Sequence, residues 1–162
     1  MSEITALLDE EKEFDDMGSY NHSLVQGNLA HVIRKYSNLS AFIELSLDTS
    51  KLDKTQFADV NNELIPDVCA YPRSSIIDLD ILVMQEMPEL VIEVISPRQG
   101  AHGIVRKFQA YFALGICSCW LVDPTIAAVR VYHNNSHSQT FASGELVDNI
   151  TNIKFPVAEI FE

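Results

Sequence analysis

Glu93 stands inside LVIEVI, an unbroken aliphatic run at residues 90–95 that Ser96 and Pro97 close. A β-branched run of this length reads as a strand covered on both faces, where an unpaired carboxylate is costly. Three arrangements would offset the charge: an ion pair with a buried Arg or Lys, an edge position open to water, or a bound divalent cation. Mg²⁺ suits the third, since it is held by one or two carboxylates together with waters and phosphate oxygens. Asp67 is a second acid of the same kind. In Ile65-Pro66-Asp67-Val68 it follows a proline at the start of another apolar stretch. A Pro-Asp turn needs no function, yet neighbouring strands can bring two such acids to within about 5 Å. Lys107 is the third group, with Tyr111 one helical turn further on and on the same face. A helix lysine ordinarily lays its stem over apolar neighbours, and it acts chemically only if its face looks back at the acids.

The elements around these residues follow from hydrophobic spacing. Residues 104–114 place Ile104, Val105, Phe108, Phe112 and Leu114 on one helical stripe, with Gly115 as the stop. A second helix is predicted over 23–36 from Leu24, Val25, Leu29, Val32 and Ile33, with Asn21 or His22 as its cap. Strand character marks 41–47, 66–71, 117–122, 127–132 and 139–142, the last two joined as a hairpin through Asn134-Asn135-Ser136. Residues 51–63 and 71–80 read as exposed connections, 3–13 as a short acidic helix and 157–161 as a turn of helix. Strand, helix, strand across 90–122 has the length of a crossover between parallel strands, while the other strands look antiparallel. The expected class is therefore α/β, with a mixed sheet flanked by helices.

Composition bounds the partners. The 162 residues hold 11 Lys and Arg against 23 Asp and Glu, a net charge of −12. That excludes an overall basic coat for nucleic acid. Half of the charge falls in the first 16 residues, where seven acids face the single Lys12. Three cysteines cannot all pair within the chain; they read as buried free thiols, and with no signal peptide and no apolar run of membrane length the expected location is cytoplasmic.

In order along the chain, Pro66-Asp67, LVIEVISP, Lys107-x-x-x-Tyr111, the Gly115-Ile116 stop and CWLVDP with Trp120, Asp123 and Pro124 resemble the Uma-type family of restriction-endonuclease-like proteins, a divergent branch of the PD-(D/E)XK nucleases. The resemblance runs from about Asn21 onward, leaving 1–20 as an acidic N-terminal segment and 21–162 as one domain. It implies a restriction-endonuclease-like mixed central sheet flanked by helices, with additional antiparallel strands. It further implies that Asp67, Glu93 and the backbone carbonyl of Val94 hold one Mg²⁺ or Mn²⁺, whose bound water attacks a phosphodiester of DNA. Lys107 replaces the lysine that this superfamily carries two residues after the second acid, where the chain has Ile95. Ser96 and Tyr111 become supports beside the substrate. Arg98 and Arg106, with Arg73 and Arg130, become candidate phosphate contacts, and His22 and Glu44 become further members of the site. Cutting both strands of a duplex implies a homodimer. Where the family often carries an acid shortly before the helix lysine, residues 100–106 read GAHGIVR. That departure and the net charge support the alternative, a catalytically inactive nuclease fold acting as an oligomeric binding or regulatory module.

Overall fold

The computed structural model describes residues 18–162. The acidic helix expected over 3–13 lies outside them. Helix α1 spans Tyr20–Tyr36 and buries His22, Val25, Gln26, Leu29, Val32 and Ile33, a stripe at three- and four-residue steps. It begins earlier than its apolar pattern indicates. Ser19 is the cap rather than Asn21 or His22, and its hydroxyl accepts from the His22 N–H at 3.3 Å.

Eleven strands follow among the described residues: β1 (Leu39–Ile43), β2 (Ser46–Asp48), β3 (Glu63–Leu64), β4 (Val68–Pro72), β5 (Val83–Met84), β6 (Leu90–Val94), β7 (Cys119–Asp123), β8 (Ala128–Tyr132), β9 (Ser138–Phe141), β10 (Glu145–Asp148) and β11 (Ile153–Pro156). The stretch at 41–47 is not one strand. Glu44 sits at φ 54°, a left-handed conformation that breaks the pleat, so β1 and β2 join different sheets. The central sheet has six strands in the order β1-β4-β6-β7-β8-β9, in which β6 and β7 are parallel and the other neighbours antiparallel. A three-stranded sheet, β3-β2-β5, and the β10-β11 hairpin complete the mixed α/β fold.

Helix α2 (Ala101–Ala113) crosses between the parallel pair. It ends as its glycine predicts: Gly115, at φ 98°, donates to the Phe112 carbonyl, and Ile116 donates to the Tyr111 carbonyl. This is the Schellman arrangement, which positive φ at glycine permits. Every residue of β6 is buried. Leu90, Ile92 and Val94 pack with α1 and the hairpin, while Val91 packs with Ile104, Phe108 and Tyr111 of α2. Strand alternation therefore turns Glu93 toward α2.

All three cysteines are free, but only Cys69 and Cys119 are buried; Cys117 precedes β7 and is exposed, contrary to the expectation for it. No helix among the described residues is long and apolar enough to cross a membrane.

Candidate active site

Glu93 is buried, 2% exposed, at the centre of the sheet. Its Oε1 accepts a hydrogen bond from the Tyr111 hydroxyl at 2.8 Å, and the Lys107 ammonium lies 3.8 Å from the same oxygen. Both donors come from α2, whose i, i+4 spacing puts them on the face that looks at β6. Tyr111 is fully buried, whereas the Lys107 side chain remains 36% exposed and so reaches from solvent into the site. Of the three arrangements open for Glu93, the edge position is excluded by burial. The ion pair is present, among the described residues through one partly exposed lysine.

Asp67 precedes β4. Its Oδ2 accepts from the backbone N–H of Val94 at 2.7 Å and stands 3.2 Å from Nε2 of His22. Its own carbonyl accepts from the Gln26 amide at 2.8 Å and from the Glu44 N–H at 3.3 Å. The link to Val94 ties the start of β4 to the end of β6, so the two acids converge. Burial pushes the Glu93 carboxyl up to about 8; the Lys107 charge and the Tyr111 bond pull it down, while the Asp67 charge and a hydrogen bond between the two carboxyls push it up. A pair that can share a proton can equally share a small divalent cation, which would replace that proton and cancel the charge that burial penalises. Two converging carboxylates of this kind fit Mg²⁺ or Mn²⁺. Among the described residues, no group of three or more His, Cys, Asp and Glu side chains is placed to hold a metal.

The structure distributes the remaining candidates unevenly. Ser96 is buried just past β6 and Arg98 is exposed two residues later. His22 reaches Asp67, and the hydrogen bond to that carboxylate raises its pKa against the opposing effect of burial. Glu44 is exposed, close enough that its charge also raises His22. Arg106 is engaged elsewhere: it makes two bonds to the Asp59 carboxylate at 2.9 and 3.1 Å, donates to the Gln56 carbonyl, and lies over the Phe57 ring. It ties α2 to the 51–61 connection. Arg73 is bound to the Arg34 and Ser37 carbonyls, and Arg130 pairs with Thr140 on β9.

Sequence reasoning passed over Gln26. Its spacing of four from His22 on a helix is the signal that could have found it, because the two share one face. It also passed over Asp148, a fully buried acid held by the Ser118 hydroxyl at 2.5 Å, the Trp120 indole at 2.8 Å and the Ile150 N–H at 2.9 Å.

The family model Uma2, described as "Putative restriction endonuclease", matches residues 6–152. The match thus reaches into the acidic segment that the motifs alone had left outside. Among solved structures, a putative nuclease belonging to DUF820 from Anabaena variabilis superposes with a TM-score of 0.72 at 19% identity, over 91% of this chain and 83% of that one. At that identity the likeness is one of fold. No curated protein matches the sequence.

Proposed function

This chain belongs to the Uma2 family, and on that premise we propose that it is a divalent-metal-dependent endonuclease that hydrolyses phosphodiester bonds of DNA. The observation that carries the reading is Glu93, a buried carboxyl raised to about 8 beside a second acid, with a lysine 3.8 Å away. Such a group is poorly matched to its surroundings as a structural residue and well matched to a cation.

Asp67, Glu93 and the carbonyl of Val94 would hold the metal. Bound there, Mg²⁺ or Mn²⁺ supplies a Lewis acid for a phosphate oxygen and a water of lowered pKa. The chain's own groups do the rest. Tyr111 fixes the rotamer of Glu93 through its hydroxyl. Lys107, half in solvent, offsets the added negative charge of a pentacovalent phosphate, the kind of electrostatic assistance that carries much of phosphoryl chemistry. Arg98, exposed beyond the end of β6, contacts the substrate backbone, and Arg106 serves by anchoring α2 to Asp59. A homodimer would present two such sites to a duplex.

A catalytically inactive binding module is the second reading, favoured by the absence of a three-ligand cluster among the described residues. Incubation with supercoiled plasmid, with Mg²⁺ and with Mn²⁺, separates the two. Metal-dependent nicking that is lost in Glu93→Ala and reduced in Lys107→Ala is expected. Wild-type protein inert with both metals, or Glu93→Ala as active as wild type, overturns the nuclease reading in favour of the module.

A further inference from the structure

Helix α1 contributes no carboxylate to the site, yet two of its side chains close on one residue of it. His22 and Gln26 are four apart, so they emerge one above the other from the same face. Gln26 gives its amide to the Asp67 carbonyl at 2.8 Å, and His22 brings Nε2 to 3.2 Å from Asp67 Oδ2. Both side chains are buried or nearly so, at 7% and 9% exposure, in a helix that otherwise buries only aliphatic groups on this face. Burying an imidazole and an amide in place of leucines is a cost that packing alone does not repay.

We infer that α1 is a clamp on Asp67, and that His22 is a positioning residue that holds the Asp67 carboxylate in the orientation a divalent cation requires. The inference rests on the metal-site reading of Asp67 and Glu93 and goes beyond it to residues outside the ligand set. The chemistry is specific. Oδ2 already accepts from the Val94 N–H at 2.7 Å, and Nε2 stands 3.2 Å from that same oxygen, placed to be its second donor. Two donors on one oxygen fix the carboxylate plane and leave the other oxygen for a ligand. With its hydrogen on Nε2, facing Asp67, a neutral His22 ring would have an unprotonated Nδ1. That nitrogen is buried and makes no hydrogen bond among the described residues. It sits beside Gly18, where a Cβ would come within 3.1 Å of it. Among the described residues the ring is thus oriented from one end, by Asp67, and the absence of a side chain at residue 18 leaves it room. Outer residues of this type typically change metal affinity by about 10–100-fold when removed.

The test is the affinity for Mn²⁺ alone, read from the loss of the free-ion electron paramagnetic resonance signal, in His22→Gln and His22→Asn. The Gln amide extends as far as Nε2 and can still donate to Asp67; the Asn amide is too short. Wild-type protein and His22→Gln should bind Mn²⁺ within about threefold of each other, and His22→Asn should bind about 10–100-fold more weakly. Thermal unfolding without metal, followed by circular dichroism, checks that the two variants fold alike. Equal affinity in both variants, whether intact or lost, overturns the clamp, because a merely structural histidine would not distinguish the length of its replacement. Wild-type protein that binds no Mn²⁺ overturns the metal-site reading itself and the clamp with it, and is recognisable as such without reference to the variants.

Discussion

Two buried acids, Glu93 and Asp148, are 2% and 0% exposed, and the protein treats them in opposite ways. Burial alone would push both carboxyls up. At Asp148 it is outweighed by hydrogen bonds from the Ser118 hydroxyl, the Trp120 indole and Thr151, which leave the group below its ordinary value. At Glu93 burial wins, because the Lys107 charge and a single hydroxyl do not compensate for it and Asp67 adds a like charge, so the carboxyl stands at about 8. A carboxylate surrounded by oriented donors is finished as a piece of structure. One left short of donors next to a second acid has a charge that the chain itself does not offset, and on the proposed reading a cation does so.

The sharpest way to break the contrast is to make both acids neutral. Asp148→Asn leaves buried donors without their charged acceptor and should cost about 3–5 kcal/mol in urea unfolding. Glu93→Gln removes a charge that the site penalises, so at pH 8 it should be at least as stable as wild type. Equal losses in the two variants would mean that both acids are structural. Next in size is Lys107→Ala. Without the ammonium 3.8 Å from Glu93, cleavage at saturating Mg²⁺ should fall about 10–100-fold, and the acid limb of the pH–rate profile should move to higher pH, since the lysine holds Glu93 down. Unchanged activity with an unmoved limb would remove Lys107 from the site.

A further effect is on the pH dependence of stability. Glu93 is raised from 4.5 to about 8, so the folded protein keeps a proton that the unfolded chain has released; stability is greatest below about pH 4.5 and declines as pH rises toward about 8. His22, raised from 6.5, contributes in the same direction. Asp148 is lowered from 3.8 and contributes stability that is present above that value and lost as pH falls through its folded value. Urea midpoints between pH 3 and pH 9 should therefore fall between about pH 4.5 and about pH 8, a decline that Glu93→Gln flattens in part and saturating Mg²⁺ offsets, while Asp148→Asn flattens part of the acid limb.

The contrast also marks what a sequence can show. Glu93 was legible because a charge interrupting LVIEVI violates the pattern around it, and α2 was legible because its stripe, its Lys107-to-Tyr111 spacing and Gly115 all agree. Family motifs then linked Asp67 to Glu93. What could not be read depends on long-range contacts or on a single dihedral. Gln26 and His22 meet Asp67 across more than forty residues of chain. Asp148 sits in Leu-Val-Asp-Asn, which reads as a strand end and a turn, and its partners Ser118 and Trp120 lie thirty and twenty-eight residues earlier. The break between β1 and β2 turns on the positive φ of Glu44, a residue with no general preference for that conformation.

On the proposed reading, the division of roles keeps Glu93 for a metal and Asp148 for the fold. It is tested most directly by titrating Mn²⁺ at pH 8 into wild type, Glu93→Gln and Asp148→Asn, with the bound ion counted by electron paramagnetic resonance. One saturable Mn²⁺ per chain in wild type and in folded Asp148→Asn, and none in Glu93→Gln, is the predicted result. No saturable site in wild type, or the same site surviving in Glu93→Gln, would contradict it.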